Sequence, residues 1–326
     1  MKQRKLGKSD ILIGEVGLGC WQFGGDFGPM EDRTAFDIMT AALENGINFF
    51  DTADVYGGGR SESLIGQFLR QSGKPVVVAT KFGRAGGVYP DGYTEAALRR
   101  GVEASLKRLE VGALDLVQLH CIPMKIMQQG AVFDWLRKLQ ADGKIRHFGA
   151  SVETVTEALL CVEVEGITSL QVIFNIFRQK PIEALFPRAI ERGVGLIIRL
   201  PVASGLLSGK FTRQTRFAEA DHRNYNRDGQ YFNVGETFAG LPFEKGVALA
   251  DGIKPLVPAG RTMTQMALRW ILDYEAVSVV IPGASSPAQA KANAQASDLA
   301  PLSADLHRRL ADYYRKEVHD HIRGPY

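Results

Sequence analysis

Only three cysteines, Cys20, Cys121 and Cys161, occur in 326 residues, and no two stand in a CxxC spacing. So sparse and odd a set argues against a disulfide framework or a structural zinc site. No apolar run is long enough to span a membrane. The basic start, MKQRKLGKSDILIG, lacks the apolar stretch and small-residue cleavage site of an export signal. Charge of one sign is also missing: 39 basic and 36 acidic residues are mixed along the chain for a net +3. Without a block of like charge, a nucleic-acid or membrane-surface role is disfavoured. A cytoplasmic protein is expected, with a small molecule as its partner. No GxGxxG opens a helix after a strand, so the dinucleotide fingerprint of an open sheet is absent. SGLLSGKF is not a P-loop, because its glycines are too close together and Phe211 follows Lys210 where a hydroxyl should bind Mg²⁺.

At 45% hydrophobic the chain can bury a large core. Between Glu31 and Gly46, Ala35, Phe36, Ile38, Met39, Ala42 and Leu43 fall three and four apart, one face of an amphipathic helix. A short apolar run, Ile47 to Phe50, follows and suits a strand buried on both faces. The unit recurs in QSGKPVVVATK, EVGALDLVQLH, ADGKIRHFGAS, VEGITSLQVIFN and ERGVGLIIRLP, and VSVVIPG and EVGLGC add further strands. About eight strands separated by helix-sized segments predict an α/β fold, a (β/α)8 TIM barrel, with a doubly wound open sheet as runner-up. GKSD between two short alternating stretches predicts an N-terminal β-hairpin. Gly205 to Gly260 predicts a long loop after strand 7, with one helix over Glu244 to Gly252. With no linker visible, residues 1–326 read as one domain.

The C-terminal ends of barrel strands share one face. There the sequence puts Asp51, Lys81, His120, Ser151 and Asn175. Taken singly, each has a bland explanation: a turn-capping Asp, a solvated Lys, a hydrogen-bonded His. Together they do not, since a buried Asp51 costs several kcal/mol unless an opposite charge such as Lys81 is near. Tyr56, five residues after Asp51, adds a phenol whose ordinary pKa of about 10 a neighbouring ammonium lowers toward the working range. His120 is placed to orient a carbonyl.

In order along nearly the whole chain, DTADVYGGGRSESLIG, VATKFG, LVQLHCIP, HFGAS and SGLLSGK resemble the motifs of the aldo-keto reductase superfamily. The resemblance implies a barrel that reduces a small aldehyde, ketone or sugar-derived carbonyl with NADPH, with NADH left open. It makes Asp51, Tyr56, Lys81 and His120 the catalytic set, with Tyr56 as general acid. By the same resemblance Ser204, Gly205, Leu207 and Lys210 curl over the pyrophosphate, flanked by Pro201 and Val202. IPGASSPAQAKAN supplies a second phosphate-facing turn through Gly283, Ser285, Gln289 and Asn293. Ser285 stands where a basic residue often holds the 2′-phosphate, and Ala292 where an acidic residue meets the adenine. Ser151 and Gln171 match the holders of the nicotinamide carboxamide, with Val152 where Asn is frequent. Arg199 replaces a stacking aromatic, a role its planar guanidinium can take.

The stretch GCWQFGGDFGP brings Gly19, Cys20 and Trp21 to the cofactor side, while Trp21, Phe23 and Phe27 wall the mouth with Tyr56 and His120. No base is identifiable for Cys20 or Cys121, so packing beside the site is favoured over nucleophilic chemistry. His319 and His321 lack a third ligand, and no metal is expected. The tail EVHDHIRGPY can instead reach the pocket. Two other readings stay open: a Schiff-base aldolase using Lys81, and an NADPH-sensing binding subunit with little turnover.

Overall fold

The computed structural model describes residues 1–326. Two short antiparallel strands, β1 (Gln3–Lys5) and β2 (Leu12–Gly14), form the expected hairpin around GKSD. Eight parallel strands follow: β3 (Leu18–Gly19), β4 (Phe49–Asp51), β5 (Val77–Phe82), β6 (Leu114–His120), β7 (Ile145–Ser151), β8 (Ser169–Ile173), β9 (Gly195–Arg199) and β10 (Val277–Val280). Each pairs with its sequence neighbour, β3 through β10. Parallel bridges Val16–Val280 and Gly19–Gly283 bring the last strand to the first, with Gly17 N donating to Val280 O at 2.8 Å. This closure makes the sheet a barrel rather than the open sheet.

The helices form where the sequence repeats every three or four residues. Asp32–Glu44 buries Ala35, Ile38, Met39 and Ala42 in the main apolar core. Thr154 and Glu157 close a capping box at the helix Val155–Cys161, and Thr262 and Gln265 do the same for Met263–Leu272. The helices cover the outer face of the strands while apolar side chains fill the inside of the barrel, which is why the strands read as near-continuous apolar runs.

Inside the barrel a floor is built from Phe49, Ala79, Leu116, Ile197 and Val279, with Leu6 and Ile13 of the hairpin plugging its lower end. Side chains alternate along a strand, so residues two positions further on share the same inward column. Above Phe49 is Asp51, above Ala79 is Lys81, above Leu116 are Gln118 and His120, and above Ile197 is Arg199. The pleat thus lifts the polar residues to the open end of the barrel.

The segment after β9 runs to the helix Met263–Leu272 through a series of short turns, a one-turn helix at His222–Tyr225 and a longer one at Phe243–Ile253. The second of these is the helix expected at Glu244 to Gly252. No helix is long and apolar enough to cross a membrane.

Candidate active site

Asp51 and Lys81 are 3% and 1% exposed, and their ion pair measures 2.5 Å. Such burial is tolerable because both charges are fully bonded. Asp51 Oδ1 accepts from Lys81, and Oδ2 accepts from Gln171 Nε2 at 2.6 Å and Gln118 Nε2 at 3.2 Å. Lys81 Nζ spends its other two donors on Thr52 O, at 2.8 Å, and on Tyr56 Oη, at 3.1 Å. Since the ammonium donates into the phenol oxygen, the Tyr56 hydroxyl proton is left to point elsewhere.

Two loops hold Tyr56 over this pair. Gly57 has φ of 59°, and a Cβ there would come within 2.6 Å of Gly24 O; a Cβ on Gly24 would meet Gly57 N at the same distance. Glycine at both positions lets the loops touch. Trp21 stacks on Tyr56 with ring centroids 5.9 Å apart, and His120 meets the same ring edge-on at 5.9 Å. Arg60 ties the first loop down through Phe23 O and Met30 O.

The direction of one expected shift is reversed. Burial raises the Tyr56 phenol to about 12, and Lys81 offsets only part of that rise. At neutral pH the side chain is therefore a fully protonated donor. Burial alone would lower Lys81, but the Asp51 carboxylate and the Tyr56 phenol push it above the usual lysine range. His120 is driven well below the ordinary imidazole range by burial and by the cations Lys81, Arg84 and Arg199, so its ring is neutral, and its Nδ1 has no partner.

Around these groups lies a cavity of about 600 Å³, within the size range of small-molecule sites. Its wall includes Asp51, His120, Ser151, Gln171 and Arg199 from the strand ends, Tyr56 from the turn beyond β4, and Gly19, Cys20 and Trp21 from the end of β3 onward. Further along it takes Pro201, Val202, Ser204, Gly205 and Lys210, and then Gly283, Ser285, Gln289, Ala292 and Asn293. Lys81 is beneath this wall, behind Tyr56.

Four expectations change. Phe23 is fully buried and does not line the cavity, because the single tight turn Trp21–Gly24 sends Trp21 up and Phe23 into the core. Leu207 is likewise buried: positive φ at Ser204 and Gly205 turns the backbone so that Leu207 faces inward. Asn175 does not reach the cavity but holds backbone, donating to Leu200 O and accepting from Phe177 N. The tail also stays out of the cavity. Arg323 grips Gly240 O and the Asp228 carboxylate, and Arg178 lies over the Tyr326 ring.

Sequence patterns missed a second charged group beside Tyr56. Arg84 pairs with Glu153 at 2.5 Å and faces Glu236 at 3.7 Å, while Arg199 faces Glu236 at 3.5 Å and donates to Val152 O at 3.1 Å. Cys121, Glu153 and Glu236 bring ligand-type atoms together. Two guanidiniums already balance the two carboxylates, so the group is an ion-pair network without spare negative charge for a cation. All three cysteines are free, and burial pushes Cys121 up to about 11 and Cys161 up to about 12, which leaves thiols rather than thiolate nucleophiles.

The cavity has features that suit a nicotinamide dinucleotide. Near Tyr56, His120 Nδ1 and Arg199 Nε are buried without partners. At the far end the helix Pro287–Ala294 begins beside Ser285, capped by Ser286, where free N–H groups attract phosphate. Lys210 adds a cation on the same wall, and Asn293 Nδ2 fixes the turn by donating to Gly283 O at 3.2 Å. Thr262, Thr264 and Gln265 complete that end, although nothing in their local pattern distinguishes them from ordinary caps.

A closed parallel barrel with a buried Asp–Lys pair behind a tyrosine and a neutral histidine defines a class of oxidoreductase. The profile of the Aldo/keto reductase family matches residues 15–315, and the chain belongs to that family. It is 30% identical over 325 residues to the uncharacterized oxidoreductase YqkF of Bacillus subtilis (strain 168), covering 98% of each chain. A probable voltage-gated potassium channel subunit beta of Arabidopsis thaliana is 27% identical over 325 residues, covering 93% of each. Among solved structures, the glycerol dehydrogenase AKR11B4 of Gluconobacter oxydans superposes with a TM-score of 0.77 at 28% identity, over 99% of this chain and 98% of that one.

Proposed function

We propose that this aldo-keto reductase reduces the carbonyl of a small aldehyde, ketone or sugar-derived substrate with NADPH, and that Tyr56 supplies the proton. The observation that carries the reading is the 3.1 Å bond from Lys81 Nζ into Tyr56 Oη. It orients the phenol so that its proton can be given to an oxygen in the cavity. When bound, the cofactor supplies a hydride to the carbonyl carbon. Tyr56 delivers the balancing proton to the carbonyl oxygen, and the Lys81 ammonium stabilises the phenolate left behind. Neutral His120 steers that oxygen toward Tyr56. Asp51 acts through Lys81, holding its position and charge without touching substrate. Ser151, Gln171 and Arg199 would face the nicotinamide, and Ser204, Gly205, Lys210, Gly283, Ser285, Gln289 and Asn293 the phosphates and adenine. Gln171 already donates to Asp51, so its carbonyl end is the part free for the cofactor.

The aldolase reading loses support here, because a Schiff base needs a free amine and every donor of Lys81 is engaged in a protonated ammonium. The likeness to a protein named as a channel subunit keeps the sensing reading in view. A panel of simple aldehydes, ketones and sugars, run with NADPH and NADH side by side, separates the two. Loss of NADPH absorbance at several turnovers per second is the expected result. Tight cofactor binding without turnover on any carbonyl would overturn the reductase reading in favour of the sensor.

A further inference from the structure

The wall near Tyr56 holds two carboxylates with different amounts of work left to do. Asp51 accepts from three donors at 2.5, 2.6 and 3.2 Å and has little acceptor capacity to offer a substrate. Glu236 also lines the cavity and is 8% exposed, yet its nearest donors are Arg199 at 3.5 Å, Arg84 at 3.7 Å and the Cys121 thiol at 4.0 Å. Good hydrogen bonds to oxygen are 2.7–3.2 Å long. The two guanidiniums thus neutralise Glu236 from a distance and leave its oxygens open to a donor from the cavity.

Glu236 is also firmly mounted. It ends the turn Val234–Glu236, where Asn233 Oδ1 accepts from Gly235 N at 2.7 Å and Asn233 Nδ2 donates to Glu153 at 2.8 Å. Ser204 Oγ donates to Glu236 O at 3.3 Å and accepts from Phe238 N at 3.0 Å, tying the turn to the cavity wall. Arg178 packs so tightly beneath that a Cβ on residue 235 would come within 2.3 Å of its Nη1. An acceptor fixed in this way is preorganised for one donor position.

We propose that Glu236 is a specificity residue that selects carbonyl substrates bearing a neutral hydroxyl group near the reacting carbon. The inference rests on the reductase reading for its reaction and on Glu236 for its choice of substrate. A hydroxyl donates to the open carboxylate while the carbonyl oxygen meets Tyr56 and His120. A substrate ammonium there meets the two arginines, and a substrate carboxylate meets Glu236 itself, so the neutral donor is favoured over either ion. Sites built to bond a hydroxyl discriminate strongly against analogues that lack it.

The test compares glyceraldehyde with propanal in turnover, and glycerol with propan-1-ol in binding followed by the fluorescence of Trp21 in the cavity wall. In Glu236→Gln the preference for the hydroxylated member of each pair falls by about tenfold, the amount one bond to a charged acceptor supports. Glu236→Asp keeps the charge between the arginines but withdraws the acceptor, and its preference falls several-fold. That variant carries the test if Glu236→Gln does not fold, as judged by circular dichroism. A binding preference unchanged from wild type in the folded variants would overturn the proposal. Should the wild type oxidise no NADPH while the binding preference still shifts, Glu236 keeps its role and the reductase reading fails instead.

Discussion

Two halves of the site around Tyr56 are built in opposite ways. The half borne by β4, β5, β6 and β8 has Asp51, Lys81, Gln118 and Gln171 locked at hydrogen-bonding distance, each partner fixed by the pleat of its strand. The other half sets the loop residues Glu236 and Arg84 around Arg199 at the end of β9, with Glu236 3.5 Å from Arg199 and 3.7 Å from Arg84, held in place but without a short partner for its oxygens. The difference divides the labour. Rigid strand ends place the groups every substrate needs, and the loop carboxylate with open acceptors chooses among substrates.

The contrast is broken most severely at Lys81. Replacing it by Met leaves the Asp51 carboxylate buried with only two amide donors and removes the cation facing Tyr56. Carbonyl turnover is expected to fall by about a thousandfold, the scale of a lost general-acid arrangement. Unfolding free energy should drop by about 3–5 kcal/mol, as when a buried pair loses one partner. Steady-state rates and urea denaturation check both, and a drop in rate with unchanged stability would mean that the pair is not buried as described.

A smaller effect sharpens the loop side. His222 sits fully buried on the one-turn helix His222–Tyr225, packed on Trp21 and Phe27, with its backbone N donating to Asp26 O at 2.8 Å. Burial lowers its pKa to about 4, against the pull of Asp221. Between the ordinary value near 6.5 and about 4 the unfolded chain binds a proton that the folded one refuses, so stability falls as pH falls through that window. The loss is on the order of 3 kcal/mol at most, from the size of the shift. Comparing unfolding at pH 7 and pH 4.5 in wild type and His222→Gln checks it: the variant should lose less stability on acidification.

How much of this was legible in the sequence follows the same division. Asp51, Lys81, His120 and Arg199 sit in period-two columns above apolar floor residues, and Ser151 and Gln171 pair at the ends of the neighbouring strands above Gly149 and Ser169, so strand ends alone brought them together. Gln118 obeys that rule too, two residues before His120, and the pattern could have found it. Glu236 and Arg84 lie in irregular segments where no period links them to the site. Phe23 and Leu207 were misplaced for a related reason: each lies in a tight turn whose rotation, set partly by positive φ at Ser204 and Gly205, a motif does not reveal. The net shift of Tyr56 was missed because letters show the charge beside a phenol and not the depth at which it is buried.

The central claim is that Tyr56, oriented by Lys81, gives its proton to the substrate. The direct measurement is Tyr56→Phe, which removes one oxygen and leaves the ring stacked on Trp21. NADPH should bind within a few-fold of wild type by fluorescence titration, while carbonyl reduction falls by about a thousandfold or more. Wild-type turnover in this variant would contradict the account.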